Sequence, residues 1–207
     1  MQGVELARTR GIDFLLAVGG GPVIDGTKFM ATACPYQGDP TEILTSFGRV
    51  VKQALPLGTV LTLPASGSEM NSGAVITRRA PCAKLPFANP LLFPVFSVLD
   101  PTKTCSLPAN QIGNGVVDTY VHVMEQYLTY PAQAKVQDRF AEGLLLTLIE
   151  EGPRALAEPE SYDVRANLIG PRTWSAMSLA HCMILTTARP WHAYCRPCLR
   201  SVPKTNA

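Results

Sequence analysis

Ile12-Asp-Phe-Leu-Leu-Ala-Val18 runs straight into Gly19-Gly20-Gly21 and on into Pro22-Val-Ile-Asp25-Gly-Thr-Lys28-Phe-Met-Ala31, and the reading of that junction decides the fold. A short, almost wholly apolar run of this kind is typical of a parallel strand covered on both faces. The glycine triplet ends the strand. Pro22, whose missing N–H costs nothing in a first turn, then opens a helix. Strand, glycine turn and helix together make a phosphate-binding arrangement, because glycines let the backbone approach closely and the amides at the positive end of a helix face an anion. A dinucleotide pyrophosphate is the most plausible such anion. The spacing is not G-x-G-x-x-G, and a glycine triplet after a strand is by itself more often only a tight turn.

Outward from the junction the pattern repeats. Residues 4 to 10 look like the end of a helix. Gly58-Thr-Val-Leu-Thr62-Leu-Pro64 reads as a second buried strand running into a loop of small polar residues, Ala65-Ser66-Gly67-Ser68-Glu69-Met-Asn71. Ala74–Thr77 and Lys84–Phe87 suggest a hairpin-like excursion, and Phe93–Leu99 is another strand, closed by Asp100-Pro101. Hydroxyl-rich loops at strand ends are where α/β sheets bind ligands, although turn chemistry alone would account for Ser66 and Ser68. The expected fold is α/β: residues 12 to 105 as a mostly parallel sheet flanked by helices, with the Gly19 turn and the Ser66 loop at one edge.

After Pro108 the strand signals stop. Residues 109 to 129, 132 to 157 and 161 onward read as helices, so an all-helical portion begins near residue 106. In the first helix Val117, Val121, Met124 and Leu128 recur at helical spacing and place Asp118 and His122 one above the other. A carboxylate and an imidazole four residues apart are half of a site for a divalent metal such as iron or zinc. On spacing alone an ordinary helix-surface pair is the more frequent outcome.

The chain has 207 residues, 46% hydrophobic and 16% charged, which describes a globular protein with a real core. No apolar run reaches the ~18 residues of a membrane span and the start lacks a signal-peptide pattern, so a cytoplasmic protein is expected. Six scattered cysteines then read as reduced thiols. The net charge of +2 hides a break: residues 170 to 207 contain no Asp or Glu but five of the 18 Lys and Arg, leaving 13 basic against 16 acidic residues before them. A mildly acidic body argues against nucleic-acid or membrane partners.

Four segments together, Leu-Leu-Ala-Val-Gly-Gly-Gly-Pro-Val-Ile-Asp-Gly-Thr-Lys, Pro-Ala-Ser-Gly-Ser-Glu-Met-Asn, Phe-Ser-Val-Leu-Asp-Pro and Gly-Val-Val-Asp-Thr-Tyr-Val-His, resemble the iron-containing (group III) alcohol dehydrogenases, within them the NADP-dependent butanol dehydrogenase and broad-range aldehyde reductase branch. The resemblance runs from about residue 4 to residue 169. It implies a dinucleotide-binding α/β domain over 1 to 105 and the start of a helical metal-binding domain over 106 to 169. It further implies that Gly19, Gly20, Gly21 and the helix at Asp25 hold the pyrophosphate, that Thr62, Ser66 and Lys84 line the cofactor, NADP or NAD, and that Leu99 packs near the nicotinamide. Asp118 and His122 match two ligands of a divalent metal, iron or zinc. The implied substrate is a small alcohol or aldehyde, and full-length relatives are expected to be homo-oligomeric.

Three departures qualify the resemblance. Pro22 stands where most relatives have serine, which removes a backbone donor and a hydroxyl from the phosphate turn. The family's first strands would precede Met1. The remaining ligand histidines would lie beyond residue 169, where the sequence changes character. Taken literally, His181-Cys182, His192 and Cys195-Arg-Pro-Cys198 have zinc-site spacing. Taken as a shifted frame, the codons of Met183-Ile184 must yield Asp and those of Trp191-His192 must yield Ala, and the codons between permit Asp-Leu-Asp-His-Gly-Gln-Thr-Leu-Ala, which resembles a ligand-histidine motif of the family. Residues 170 to 207 are therefore expected to be an out-of-frame tail that forms no cooperative domain. Three functions stand open: a metal-dependent NAD(P) oxidoreductase impaired by truncation, a non-catalytic nucleotide- or partner-binding remnant, and a zinc-binding tail on an α/β domain.

Overall fold

The computed structural model describes residues 1–64, 66–78, 83–128 and 134–171. The tail from 172, with its histidines and cysteines, lies outside the described residues. A division falls between Thr104 and Cys105, and each part is described by itself.

In the first part α1 (Gln2–Thr9) leads to β1 (Leu15–Gly19), α2 (Gly21–Ala33), α3 (Thr41–Thr45), β2 (Leu57–Leu61), a hairpin of β3 (Gly73–Arg78) and β4 (Ala83–Ala88), and β5 (Phe96–Val98). The strands β1, β2 and β5 form a parallel sheet in that order, with Leu15 opposite Leu57, Gly19 opposite Leu61 and Thr59 opposite Ser97. The hairpin is a separate antiparallel ribbon with Val75 opposite Pro86 and Thr77 opposite Lys84. One core cluster joins Ile43, Leu57, Phe87 and Leu92 to Ala31 and Ala33 of α2, and a smaller one joins Ala17, Ile24 and Leu61. The Arg8 guanidinium donates to the carbonyls of Ala33, Cys34 and Tyr36, so α1 closes the C-terminal end of α2 with a cation where the helix dipole favours one.

The expectation of a strand buried on both faces needs correcting. Ala17 is buried against Ile24, whereas Leu16 and Val18 on the opposite side of β1 are 54% and 58% exposed. The period of two along a strand separates the faces, and α2 packs on only one of them. The strands are also shorter than the sequence suggested. Pro64 has no N–H to continue β2, and Pro94 none to lengthen β5 toward Phe93.

In the second part α4 (Ala109–Leu128) and α5 (Lys135–Ala157) pack antiparallel, followed by α6, helical over 162–171. Ile112 meets Ala155 and Val164 at one end, and Val123 meets Ala141 and Leu145 at the other. The buried stripe of α4 is thus Ile112, Thr119 and Val123, with Tyr120, Met124 and Tyr127 beside it. Val117, Val121 and Leu128, whose spacing announced the helix, are exposed. α4 has two apolar stripes and α5 covers one of them.

Candidate functional site

The strand–turn–helix junction forms as the sequence implies, with Gly20 extended (φ −86°, ψ −173°) as the residue before α2 and Pro22 in the first turn. The first helical bonds run from the amides of Val23 and Ile24 to the Gly20 carbonyl, at 3.0 and 3.2 Å. The amides of Gly20 and Gly21 precede those bonds, and they are the donors that a helix start leaves for an anion. The end of β2 docks beside them, the Thr62 amide donating to the Gly19 carbonyl at 3.2 Å. The Ser66 loop closes over Gly21 so tightly that a Cβ there would lie 2.1 Å from Ser66 Oγ. A side chain at 21 would have to push Ser66 aside, and an exposed hydroxyl stands beside the helix-start amides.

Behind this edge lies a polar cluster buried between α2 and the loop. Asp25 accepts from Ser68 Oγ at 2.6 Å and from the Val75 amide at 2.9 Å. Ser68 Oγ is 3.1 Å from Ser66 Oγ. Asp25 is acceptor-only, so the Ser68 hydroxyl must donate to it and is left to accept from Ser66. Asp25 consequently acts on the edge through two serines, from a buried position, rather than by facing an anion itself. One turn along the helix Lys28, fully buried, donates to Asn71 O at 2.7 Å, Asn71 Oδ1 at 3.0 Å and Gly73 O at 2.8 Å. Burial pulls the Lys28 ammonium down to about 8 from 10.5, against the opposing pull of Asp25 and Glu69. A hydroxyl chain continues the fastening from the sheet, Thr59 Oγ1 donating to Ser97 Oγ at 2.8 Å and Ser97 Oγ to the Glu69 carbonyl at 2.5 Å.

The structure brings Gly19, Gly20, Gly21, Thr62 and Ser66 to one end of the parallel sheet, with Asp25 behind them. Leu99 packs against Ala17, Ile24 and Leu61 beneath the turn. Lys84 is exposed on β4 opposite Thr77, two residues along from the Val75–Asp25 bond. The sequence reading missed Lys28 and Asn71. The signal for Lys28 was present: Gly21, Ile24, Asp25, Lys28, Ala31 and Thr32 share the buried stripe of α2, and a charge on an apolar stripe requires a partner.

On α4 Asp118 and His122 are neighbours, Oδ1 to Nε2 being 3.6 Å, with Glu125 Oε2 also 3.6 Å from His122 Nδ1. Two ligands about 2.1 Å from one zinc-type ion at a tetrahedral angle stand roughly 3.4 Å apart, so the pair has the donor types and the spacing for two ligands of a divalent ion. Their side chains are 53% and 39% exposed. Among the described residues no group of three or more His, Cys, Asp or Glu is placed to hold a metal.

Residues 1–101 match the family profile described as iron-containing alcohol dehydrogenase. The chain is similar to the NADPH-dependent aldehyde reductase YqhD of Escherichia coli, 53% identical over 87% of this chain and 51% of that protein. It is also similar to the probable NADH-dependent butanol dehydrogenase 1 of Bacillus subtilis, 46% identical over 81% of this chain and 43% of that protein. Among solved structures, E. coli YqhD superposes with a TM-score of 0.82 at 54% identity, covering 87% of this chain and 47% of that one. The NADH-dependent butanol dehydrogenase A of Thermotoga maritima gives 0.79 at 32% identity, covering 87% and 45%. The chain spans about half the length of the curated relatives it matches. No helix among the described residues is long and apolar enough to cross a membrane.

Proposed function

Because the chain belongs to the iron-containing alcohol dehydrogenase family, we propose that it is built for hydride transfer between NAD(P)(H) and a primary alcohol or small aldehyde. The observation that carries this reading is the closure of the Ser66 loop on Gly21, 2.1 Å from a would-be Cβ, at the open start of α2. That arrangement offers a pyrophosphate the amides of Gly20 and Gly21, the strand end at Gly19 and the Ser66 hydroxyl, with the helix dipole adding to each. Thr62 and Lys84 would lie along the cofactor, and Leu99 would support the nicotinamide half. Residues 1 to 105 are the dinucleotide-binding part and 106 to 169 the start of the helical part.

Asp118 and His122 would be two ligands of the divalent metal, iron or zinc, which when bound supplies Lewis-acid polarisation of the substrate oxygen. The chain's own contribution would then be orientation: the Gly20 and Gly21 amides and the Ser66 hydroxyl would fix the pyrophosphate and so place the nicotinamide reproducibly, and the cofactor when bound would supply hydride transfer chemistry. Two ligands among the described residues leave a metal weakly held, and loss of that polarisation costs several kcal/mol of transition-state stabilisation, a fall on the order of a thousandfold in rate. A cytoplasmic location and homo-oligomeric full-length relatives complete the proposal.

Titrating the 207-residue chain with NADPH by nicotinamide fluorescence, and assaying butanal reduction alongside, tests it. Saturable binding abolished by Gly21→Ala with slow, metal-stimulated turnover is expected, and absence of binding would overturn the reading. A second reading, a nucleotide-binding remnant without catalysis, is favoured by the contrast between an assembled anion edge and an exposed two-residue metal pair. Binding with no turnover at any added iron or zinc concentration would select it.

A further inference from the structure

We propose that Lys28 is a positioning residue for the anion-binding edge, gripping the 71–73 segment and thereby holding the Ser66–Ser68 loop against the first turn of α2. The inference rests on the dinucleotide reading for its functional meaning and on the local geometry for its substance.

An ammonium has three hydrogens, and Lys28 spends one on each of three acceptors, two on Asn71 and one on Gly73, at 2.7 to 3.0 Å. All three acceptors belong to a single short segment just beyond the loop. Asn71 Oδ1 also takes the Gly73 amide at 3.0 Å, so the side chain that binds the lysine simultaneously folds the segment. Three residues earlier on the helix, Asp25 holds Ser68 and Val75. One helical turn therefore fastens the chain at 68, 71, 73 and 75. Between Ser66 and Ser68 stands Gly67 in the left-handed region (φ +64°), a joint that can turn freely when its far side is released.

The energetics favour a local role over a global one. Lys28 is fully buried and its pKa is depressed, so the folded chain would be more stable with the group neutral. A charge that costs global stability while supplying three directed bonds to one segment is suited to fixing that segment. A neutral amine would have two hydrogens for three acceptors.

The test is amide hydrogen exchange on the full 207-residue chain, comparing the parent with Lys28→Met and with Asn71→Ala, which removes one of the lysine's three acceptors, together with the Gly73 amide's, without emptying the lysine's pocket. The expected result is exchange faster by about tenfold across 66–75, the effect of losing one hydrogen bond to a charged group, with α1 and α3 unchanged. NADPH affinity measured on the same samples should fall by a similar factor. Exchange across 66–75 that stays at the parental rate overturns the proposal, as does acceleration spread evenly over residues 1–104. If Lys28→Met does not fold, the Asn71→Ala profile decides between the same outcomes. A parent chain that fails to bind NADPH sinks the dinucleotide reading, while the exchange profile still decides the tether.

Discussion

Two helices each carry an acid and a base one turn apart, Asp25 with Lys28 on α2 and Asp118 with His122 on α4, and the pairs meet opposite fates. On α2 both side chains are buried and each is bonded to a different part of the 66–75 segment. On α4 Asp118 is exposed and His122 half-buried, with Oδ1 and Nε2 3.6 Å apart. Spacing on a helix fixes only which side chains are neighbours. What they do is set by what the rest of the chain lays over them, and the segment that covers the α2 pair lies only some forty residues along the chain. The proposed phosphate cradle needs only strand, turn, helix and next loop. A metal sphere needs ligands from distant segments.

The contrast predicts unequal costs. Asp25→Ala would leave the Ser68 hydroxyl and the Val75 amide without their acceptor and strip Lys28 of a nearby opposite charge. A loss of about 3–5 kcal/mol in denaturant unfolding is expected. A loss below about 1 kcal/mol would make the two pairs equivalent and break the comparison.

Lys28 sharpens it through pH. Its native pKa is about 8 and its ordinary value 10.5. Below pH 8 the group is charged in both states and the desolvation cost is present in full. Between pH 8 and 10.5 the native state gives up the proton that the unfolded state keeps, so stability from this group rises with pH. The size is on the order of 3 kcal/mol. Subtracting the stability–pH curve of Lys28→Met from that of the parent should reveal an upward slope in that window. A flat or downward difference would place the lysine outside the buried cluster.

Gly21→Ala probes the same cradle at its mouth. The new Cβ would meet Ser66 Oγ at 2.1 Å and Ser66 Cβ at 2.9 Å. Ser66 is exposed and can swing aside, so a stability loss of about 1 kcal/mol is expected, together with loss of NADPH binding. Unchanged affinity would show that the loop and the turn do not act on one ligand.

How far the sequence carried the reading follows from the same contrast. The β1–α2 junction, the Ser66 loop and the β3–β4 hairpin were legible because each is signalled locally, by glycines, small polar residues and apolar runs ending in turns. The exposed face of β1 at Leu16 and Val18 was not legible, because an apolar run on a strand cannot say which of its two faces is covered. Lys28 escaped for a related reason: a lysine in a helix is ordinarily a surface residue, and its three acceptors at Asn71 and Gly73 are more than forty residues away in sequence. Asp118 and His122 were legible as neighbours from their i,i+4 spacing. Their exposure was not, since Val117 and Val121 beside them suggested a covered stripe and are themselves exposed.

The smallest effect is expected at the second pair. Asp118→Ala removes a carboxylate whose side chain is 53% exposed and whose imidazole neighbour is 39% exposed, and an exposed i,i+4 pair of this kind is worth about 0.5 kcal/mol. Its unfolding curve should overlay the parent's, in contrast to Asp25→Ala. Metal retention gives the same pair a second readout. Two ligands leave most of a coordination sphere to water, and water exchanges readily, so added zinc or iron(II) should be lost on dialysis from parent and variant alike. Tight stoichiometric metal in the parent, absent after Asp118→Ala, would show that donors outside the described residues complete the sphere. The α4 pair would then stand level with the α2 pair, each fixed by a segment remote from it, and the difference between them would be one of distance along the chain alone.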